Sequence, residues 1–248
     1  MQAATRGKPH CPPGGISFSM ALSTTKAAPA DASQPAENFS AAPFLPKRRD
    51  LESLQKAARH CEGCPLFENA TQTVFGAGRP QARLILVGEQ PGDREDQEGV
   101  PFVGPAGLLL DRCLADAGIR RDDVYVTNAV KHFKWEPRGK RRIHKRPSIH
   151  EIAACRPWLD AELDEVQPEM IVCLGATAAQ ALLGRAFRVT RDRGKLLFPD
   201  ALPPVLATVH PSSILRAPDH DSREQARRDF VQDLRAAADF LRQHRRAA

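Results

Sequence analysis

The sequence has no apolar run long enough to cross a lipid bilayer. Its apolar runs are no longer than a β-strand, as in residues 84–87 (LILV), and the mean hydropathy of the 248 residues is −0.41. Pro9, Pro12 and Gly14 interrupt the N-terminal stretch, so we also expect no signal peptide. These features predict a cytoplasmic protein that does not enter a membrane.

The sequence also lacks the glycine-rich motifs GxxxxGK[ST] and GxGxxG, so a nucleoside triphosphate or a dinucleotide has no recognisable site. Six cysteines in a chain of this length, without a secretory signal, favour metal or redox chemistry over a disulfide scaffold. Hydrophobic residues make up 42% and charged residues 27% of the chain, which is typical of a globular protein with a sizeable core.

The basic charge is concentrated in one segment. Residues 131–147 read KHFKWEPRGKRRIHKRP, and their eight basic residues and one acid give a net charge of +7. Since the whole chain carries +6, its other residues sum to −1. Such a density of charge, together with Phe133 and Trp135, suits a phosphate backbone and unstacked bases. A solvated loop neutralised by counterions would explain the charge equally well.

Apolar runs that fit strands alternate with segments of helical periodicity. The predicted strands are 83–87, 124–127, 170–174 and 204–209. The predicted helices are 51–59, which Asp50 caps, 108–117, 149–166, 176–183 and 222–243. This alternation predicts a three-layer α/β/α sandwich with a central four-stranded, mainly parallel sheet. Residues 1–47, rich in Ala, Pro and Ser, predict a disordered tail, and residues 48–248 the folded domain.

Residues that follow the strands are candidates for function, because parallel sheets bind ligands at the carboxyl ends of their strands. GEQPGD and then PFVGPAG follow the first strand, and their turns expose backbone amides. Asn128 follows the second strand, where its amide can match a pyrimidine edge or cap a turn. His210 follows the fourth, where it can donate to charge on a leaving group or be purely structural.

The cysteine spacing indicates a possible metal centre. Cys61 and Cys64 form a CxxC pair, which lets two thiolates bind one metal. Cys155 on a helix and His132 after the second strand complete a possible Cys3His set. A redox pair is the alternative, but the CxxC follows a helix, unlike the motif of a thioredoxin-like site.

In combination these motifs resemble the uracil-DNA glycosylase superfamily over about residues 50–240. Residues 88–107 (GEQPGDREDQEGVPFVGPAG) are similar to motif A of its family 4, and residues 210–213 (HPSS) to motif B. Family 4 has a cysteine at the position of His132 and usually an alanine at that of Gln90. GEQPG and KRRIH (140–144) closely resemble the UdgX subfamily, whose members excise uracil and remain joined to the abasic site through the histidine of KRRIH.

The resemblance implies a monomeric uracil-DNA glycosylase that acts on uracil in single-stranded and double-stranded DNA. It implies a [4Fe-4S] cluster, whose ligands would be Cys61, Cys64, His132 and Cys155. The implied catalytic residues are Glu89, His144 and His210. The implied substrate-binding residues are Gln90, Asp93, Phe102 and Asn128. The implied DNA-binding residues are Lys140, Arg141, Arg142 and Lys145.

In the implied mechanism, His210 stabilises negative charge on the departing uracil, and a neutral His144 attacks the sugar in place of water. We expect the neighbouring cationic side chains of Arg141, Arg142 and Lys145 to disfavour protonation of His144. Two alternatives remain. A hydrolytic family 4 enzyme would use His144 only within a DNA-binding loop, and a non-catalytic DNA-binding protein would hold zinc in the Cys3His set.

Overall fold

Parallel strands form the centre of the sheet in the computed structural model, which describes residues 39–244. Its strands are β1 (Ala77–Gly78), β2 (Leu84–Gly88), β3 (Val124–Asn128), β4 (Trp135–Arg138), β5 (Arg141–His144), β6 (Met170–Leu174), β7 (Leu196–Leu197) and β8 (Val205–Thr208). Six of them form one sheet in the order β1-β3-β2-β6-β8-β7. The four central strands are parallel, whereas β1 and β7 are antiparallel edge strands.

The described helices in chain order are α1 (Leu51–Ala58), α2 (Asp93–Glu98), α3 (Pro105–Asp116), α4 (Ile149–Val166), α5 (Ala176–Leu183), α6 (Val189–Asp192), α7 (Pro211–Leu215) and α8 (His220–Gln243). The predicted fold class is confirmed, since all four predicted strands form the parallel centre. The predicted strand count of four is too low. The two edge strands have two residues each, which is too short to produce a pattern in the sequence.

Alternation along the central strands sends side chains into two cores. Leu84 and Leu86 of β2 face α3, α7 and α8, whereas Ile85 and Val87 face α4 and α5. The strands are buried on both faces, which explains their continuous apolar runs.

A third core lies between α1 and α4, where Leu54 and Trp158 are fully buried. Residues 1–38 of the predicted tail lie outside the described residues. Residues 39–47, which the prediction assigned to the tail, pack against this third core through Ala41, Phe44 and Leu45. The part of the chain that packs on the domain therefore begins before residue 48, because these apolar side chains cover the surface of the third core.

The most basic segment contains an antiparallel hairpin of β4 and β5, where a loop was expected. Arg138 pairs with Arg141, and Gly139, at φ +59°, supplies the left-handed conformation that this short turn requires. The register places Trp135 opposite His144. The hairpin therefore carries His144 on its returning strand. Among residues 39–244, no helix is long and apolar enough to cross a membrane.

Candidate active site

A cleft of about 590 Å³ opens where the parallel strands end. It brings together six of the seven residues predicted to be catalytic or to bind the base: Glu89, Gln90, Phe102, Asn128, His144 and His210. They come from three different strand ends, the loop before α3 and the hairpin. The parallel topology thus gathers residues that are up to 121 positions apart in the chain.

Gly88, the last residue of β2, allows two of these side chains to approach each other. A Cβ at this position would lie 2.3 Å from Asn128 Oδ1 and 2.7 Å from Phe102 Cζ. Both distances are shorter than van der Waals contact, so only glycine fits beneath the amide and the ring. Gly88 also pairs with Asn128 in the register of β2 and β3, which fixes this juxtaposition.

Phe102 has a strained backbone at the cleft. Its φ is +59°, a conformation that costs about 1–3 kcal/mol for a residue with a Cβ. Gly107 permits the turn, since a Cβ there would lie 1.7 Å from Phe102 O. The Phe102 ring is 8% exposed and is stacked on the His210 ring, with centroids 6.2 Å apart and an interplanar angle of 28°. Strain of this kind persists only where the surrounding structure holds the residue in place, and it clusters at active sites and ligand sites.

Asn128 presents an unpartnered acceptor to the cleft. Its side chain is 3% exposed, and among residues 39–244 no donor bonds to its Oδ1. A buried amide oxygen without a hydrogen bond costs about 1–3 kcal/mol, so this atom favours a ligand that brings an N–H group. The N3–H of a pyrimidine is such a donor.

A buried ion pair holds the backbone of Asn128 from below. Lys131 Nζ donates to Asn128 O at 2.8 Å and forms a short hydrogen bond to Glu162, and both side chains are almost fully buried. Glu162 also accepts from Gly76 N at 2.9 Å and from the Tyr125 hydroxyl at 3.0 Å. Burial, together with the Glu162 carboxylate, raises the pKa of Tyr125. Lys131 therefore contributes to the interior, not to the basic surface.

His210 is held as a neutral donor. The backbone N–H of Ser212 donates to His210 Nδ1 at 3.1 Å, so the ring proton resides on Nε2. Burial, with smaller contributions from Arg216 and His144, lowers the pKa of His210 to about 4. The hydrogen bond from Ser212 forms because His210 is the N-cap of α7, and its ring accepts from a backbone N–H of the first helical turn. At neutral pH the ring can therefore donate one proton to the cleft without carrying a positive charge.

Gln90 fastens the hairpin at the edge of the cleft. Its Oε1 accepts from Lys134 N at 3.1 Å, which orients the amide and directs Nε2 at the opposite strand. Nε2 lies 3.0 Å from Lys145 O and 2.9 Å from His144 Nε2. His144 Nε2 therefore accepts the hydrogen bond, and the ring is neutral with its proton on Nδ1.

Burial lowers the pKa of His144, the Glu89 carboxylate raises it, and Arg216 lowers it. Of the three basic neighbours expected to disfavour protonation, none is among these causes. The cause thus differs from the expectation, because burial has the largest effect and the repulsion comes from Arg216, while carboxylates neutralise Arg142. The neutral imidazole itself agrees with the expectation.

Glu89 lies between two groups that the sequence did not connect. Thr177 at the start of α5 donates a short hydrogen bond to its Oε2, and Arg146 Nε lies 4.0 Å from the same oxygen. The other oxygen, Oε1, lies 3.7 Å from His144 Nε2. Thr177 is 2% exposed, so its hydroxyl fixes which oxygen of Glu89 faces His144.

Asp93 and Arg142 were predicted to contact the base and the DNA, but they pair with each other. Arg142 Nε donates to Asp93 Oδ1 at 2.6 Å, and its NH1 donates to Asp96 Oδ2 at 2.5 Å. Asp96 is fully buried, and the guanidinium also lies over the Phe133 and Trp135 rings at 5.4 and 5.5 Å. Arg142 therefore anchors the hairpin to α2, and Asp93 lies outside the residues that line the cleft.

The other predicted DNA-binding residues lie on the hairpin. Lys140 and Arg141 are exposed at its tip, and among residues 39–244 neither has a carboxylate partner. Lys145 is exposed but pairs with Glu136 at 2.8 Å. The charge of residues 131–147 is therefore partly neutralised by protein acids, and the tip carries the part that faces solvent.

The four predicted metal ligands are all buried. Cys61, Cys64 and Cys155 belong to the third core, and each has a free thiol. The Trp158 indole N–H donates to Cys61 Sγ and the Lys131 backbone N–H to Cys155 Sγ, both at 3.2 Å. Such N–H donors around sulfur are what an iron–sulfur cluster uses.

Burial raises the pKa of Cys64 to about 11 and that of Cys155 to about 12. A bound cation would deprotonate both thiols. His132 is 5% exposed, burial lowers its pKa to about 4, and its Nε2 lies 2.9 Å from Thr73 Oγ1. Within residues 39–244, no three potential ligands are gathered closely enough to hold a metal ion. The donor types and their burial fit the cluster, whereas their present positions do not assemble it.

Sequence reasoning assigned no individual role to several residues of the cleft, namely Glu95, Arg146, Thr177, Ser212 and Arg216. Glu95 accepts from Gly92 N at 3.1 Å and from Gly104 N at 2.8 Å, and so joins the two glycine turns beside the cleft. An acid at the third position of a helix is a capping signal, which could have identified it. Thr177 and Arg146 carry no such signal.

Comparison with known proteins gives consistent matches. The family model for the uracil DNA glycosylase superfamily matches residues 75–235. The type-4 uracil-DNA glycosylase of Thermotoga maritima is 37% identical over 193 residues, covering 77% of this chain and 95% of that protein. The type-4 enzyme of Archaeoglobus fulgidus is 36% identical over 190 residues, covering 73% and 91%. A DNA polymerase of Bacillus phage SP01 is 30% identical over 177 residues, only 18% of its length.

Proposed function

Since the chain belongs to the uracil-DNA glycosylase superfamily, we propose that it excises uracil from DNA and then captures the abasic site covalently through His144. The observation that carries the second part is the neutral imidazole of His144. It lines the same cleft as His210 and Asn128, with an unprotonated Nε2.

Binding begins when the uracil nucleotide leaves the base stack and enters the cleft, or arrives unstacked on a single strand. Phe102 offers a ring face for the base. Asn128 Oδ1 accepts from the uracil N3–H, which gives its buried oxygen the partner that it lacks in the free protein. Cytosine has no N3–H, so the same oxygen discriminates against it.

Cleavage of the glycosidic bond leaves its electron pair on uracil N1, and the negative charge spreads to the uracil oxygens. His210 donates its Nε2–H to that charge. Because the charge exists mainly in the transition state, such a donor lowers the barrier, and its loss costs about 3–4 kcal/mol. A neutral ring suits the role, since the Ser212 N–H already occupies Nδ1.

Capture follows as the lone pair of His144 Nε2 forms a bond to the sugar C1′. The imidazole then carries the positive charge, with its proton on Nδ1, until that proton passes to solvent or to a carboxylate. Glu89, with Oε1 at 3.7 Å from Nε2, stabilises the positive charge of the sugar and then of the imidazolium. A carbon–nitrogen bond of this kind is not readily hydrolysed, so one protein molecule is consumed for each uracil.

Hydrolysis is the second candidate outcome, and Glu89 favours it. The carboxylate lines the cleft and can orient a water molecule toward the sugar, and the relatives at 36–37% identity are type-4 uracil-DNA glycosylases by name. In that case His144 is a side chain of the DNA-binding hairpin and the abasic DNA is released.

A denaturing gel separates the two outcomes. The protein is incubated with single-stranded DNA that contains one uracil, heated in detergent, and run beside a uracil-free strand. Covalent capture predicts a retained band that His144→Ala abolishes while uracil release continues. His150→Ala, an exposed histidine on α4, is the matched control and should keep the band. A free abasic strand with the wild-type protein would establish hydrolysis instead.

The cofactor belongs to the proposal as well. Cys61, Cys64, His132 and Cys155 would hold a [4Fe-4S] cluster, which would tie the segment after α1 to α4 and to the start of the basic segment. The expected sign is a brown protein with iron and acid-labile sulfide. Cys64→Ser should lose both, whereas Cys113→Ala, which alters a free thiol in the core between the sheet and α3, α7 and α8, should keep them. A colourless protein that contains zinc would contradict the cluster.

A further inference from the structure

A second groove of about 670 Å³ lies beside the cleft, between the first turns of α4 and the end of α5. Its lining includes four arginines and no acidic residue: Arg146, Arg156, Arg185 and Arg188. Three of the four lie outside the basic segment, so the concentration of charge in the sequence did not point to them. The groove therefore presents one sign of charge from three different parts of the chain.

Among the described residues, two of these four arginines, Arg185 and Arg188, lack a carboxylate that offsets their charge. Arg156 is neutralised by Asp160 at 2.6 Å. Arg146 bonds to neutral groups, Thr177 Oγ1 and Gln180 Oε1, and approaches Glu89 only to 4.0 Å. Among residues 39–244, no carboxylate pairs with Arg185 or Arg188. Such guanidinium groups form strong bidentate contacts with phosphate oxygens.

The floor of the groove is apolar. Ile149 is 49% exposed and Ile152 lies beside it on the same face of α4. A small free anion would contact only the arginines, and an apolar partner would contact only the two isoleucines of the floor. A nucleotide strand satisfies both, because its phosphates suit the rim and its unstacked bases can cover the floor.

Arg146 lines both the groove and the cleft, so the two are continuous. We propose that the groove binds the single strand that continues from the uracil nucleotide on one side, with Arg185 and Arg188 on its phosphates. This inference rests on the proposed function, since that function puts a DNA strand at the mouth of the cleft. The alternative occupant of such a groove is an acidic segment of another protein.

The test compares two double variants of the full chain. Arg185→Gln with Arg188→Gln removes the two uncompensated charges. Arg228→Gln with Arg235→Gln removes two exposed arginines of α8, on the opposite side of the sheet, and serves as the matched control. Binding is measured by fluorescence anisotropy over a range of salt concentrations. The probes are DNA single strands that carry thymine in place of uracil. One set lengthens the flank on one side of the thymine to about eight nucleotides, and a second set lengthens the flank on the other side.

We expect the wild type and the control to bind more tightly as one of the two flanks is lengthened. The groove variant should lose this gain, and its plot of log K against log salt should be shallower by about 1.4, the value for two phosphate contacts on a single strand. Equal dependence on flank length and salt in both variants would overturn the proposal. A second result would also overturn the proposal. If polyglutamate displaces the probe from the wild type while the groove variant keeps the wild-type dependence on flank length, the groove binds an acidic protein partner.

Uracil release is measured separately on the corresponding uracil strands. If no variant releases uracil, the proposed function fails, while the anisotropy data still decide whether the groove binds a DNA strand. If uracil is released and the anisotropy does not distinguish the variants, the groove proposal alone fails.

Discussion

Gly88→Ala places a methyl group between the two side chains that are proposed to hold uracil. The new Cβ would lie 2.3 Å from Asn128 Oδ1, and ordinary contact begins near 3.4 Å, so the amide must retreat by about 1 Å. Gly88 does not have a positive φ, so the substitution adds no backbone strain. The perturbation is therefore confined to the base site and its packing.

A displacement of about 1 Å in a group that orients a reactant costs about 100-fold in rate. We expect uracil release by Gly88→Ala to fall by at least that factor under single-turnover conditions, with an overpacking cost of about 1–3 kcal/mol in the free energy of unfolding. Release is measured with a strand that contains one uracil, and stability by urea unfolding of the same preparation.

Gly118→Ala provides the control for lost stability. Gly118 follows α3 at the end away from the cleft, has φ +75°, and has no atom within 4 Å of the position that a Cβ would take. Its substitution costs about 1–2 kcal/mol through the left-handed backbone alone and should leave the rate of release unchanged. A Gly88→Ala protein that unfolds cooperatively and releases uracil at the wild-type rate would refute the assignment of Asn128 and Phe102 to the base.

Because the pKa of His210 is lowered to about 4, its ring stays neutral well below pH 6.5. The single-turnover rate of uracil release should therefore stay constant from pH 7 to about 5 and fall toward pH 4. A decline centred near pH 6.5 would contradict this expectation. Thr177→Val, which frees the Glu89 carboxylate, should slow formation of the gel-retained band, whereas Thr177→Ser should restore it; equal rates in both variants would exclude a positioning role. Arg142→Ala leaves the buried Asp96 carboxylate without its cationic partner and, among residues 39–244, with only the Thr71 N–H bonded to it, so urea unfolding should show a loss of about 3–5 kcal/mol. A loss below about 1 kcal/mol would contradict the anchoring role.

The central elements could be predicted from the sequence because each carries its own local signal. The bounds of α4 and β6 agree with the prediction at both ends. Ser148 and Glu151 form a capping box that marks the start of α4, and β6 is a continuous apolar run bounded by Glu169 and Gly175. Such signals depend on neighbouring residues alone.

The hairpin and its partners could not be predicted because they depend on contacts that are distant in the chain. Pro137 and the charges of β4 hide the strand pattern. The sequence shows the charge of Arg142, but its neutralisation comes from Asp93 and Asp96, which are 49 and 46 residues away. For the same reason the sequence identified Asn128 and His210 as candidates but could not show which of their atoms lack a partner.

The side-chain amide of Gln90 has two hydrogens but three acceptors within reach, namely Lys134 O at 3.2 Å, Lys145 O at 3.0 Å and His144 Nε2 at 2.9 Å. In the proposed capture His144 would turn its lone pair to the sugar, and both amide hydrogens of Gln90 would still have a carbonyl to bond. His144 Nε2 could therefore leave Gln90 without leaving a donor unbonded, and the hairpin would stay fastened while its histidine forms the proposed bond to the sugar. The surplus acceptor at Gln90 would thus separate the proposed reactivity of His144 from the integrity of the strand that carries it.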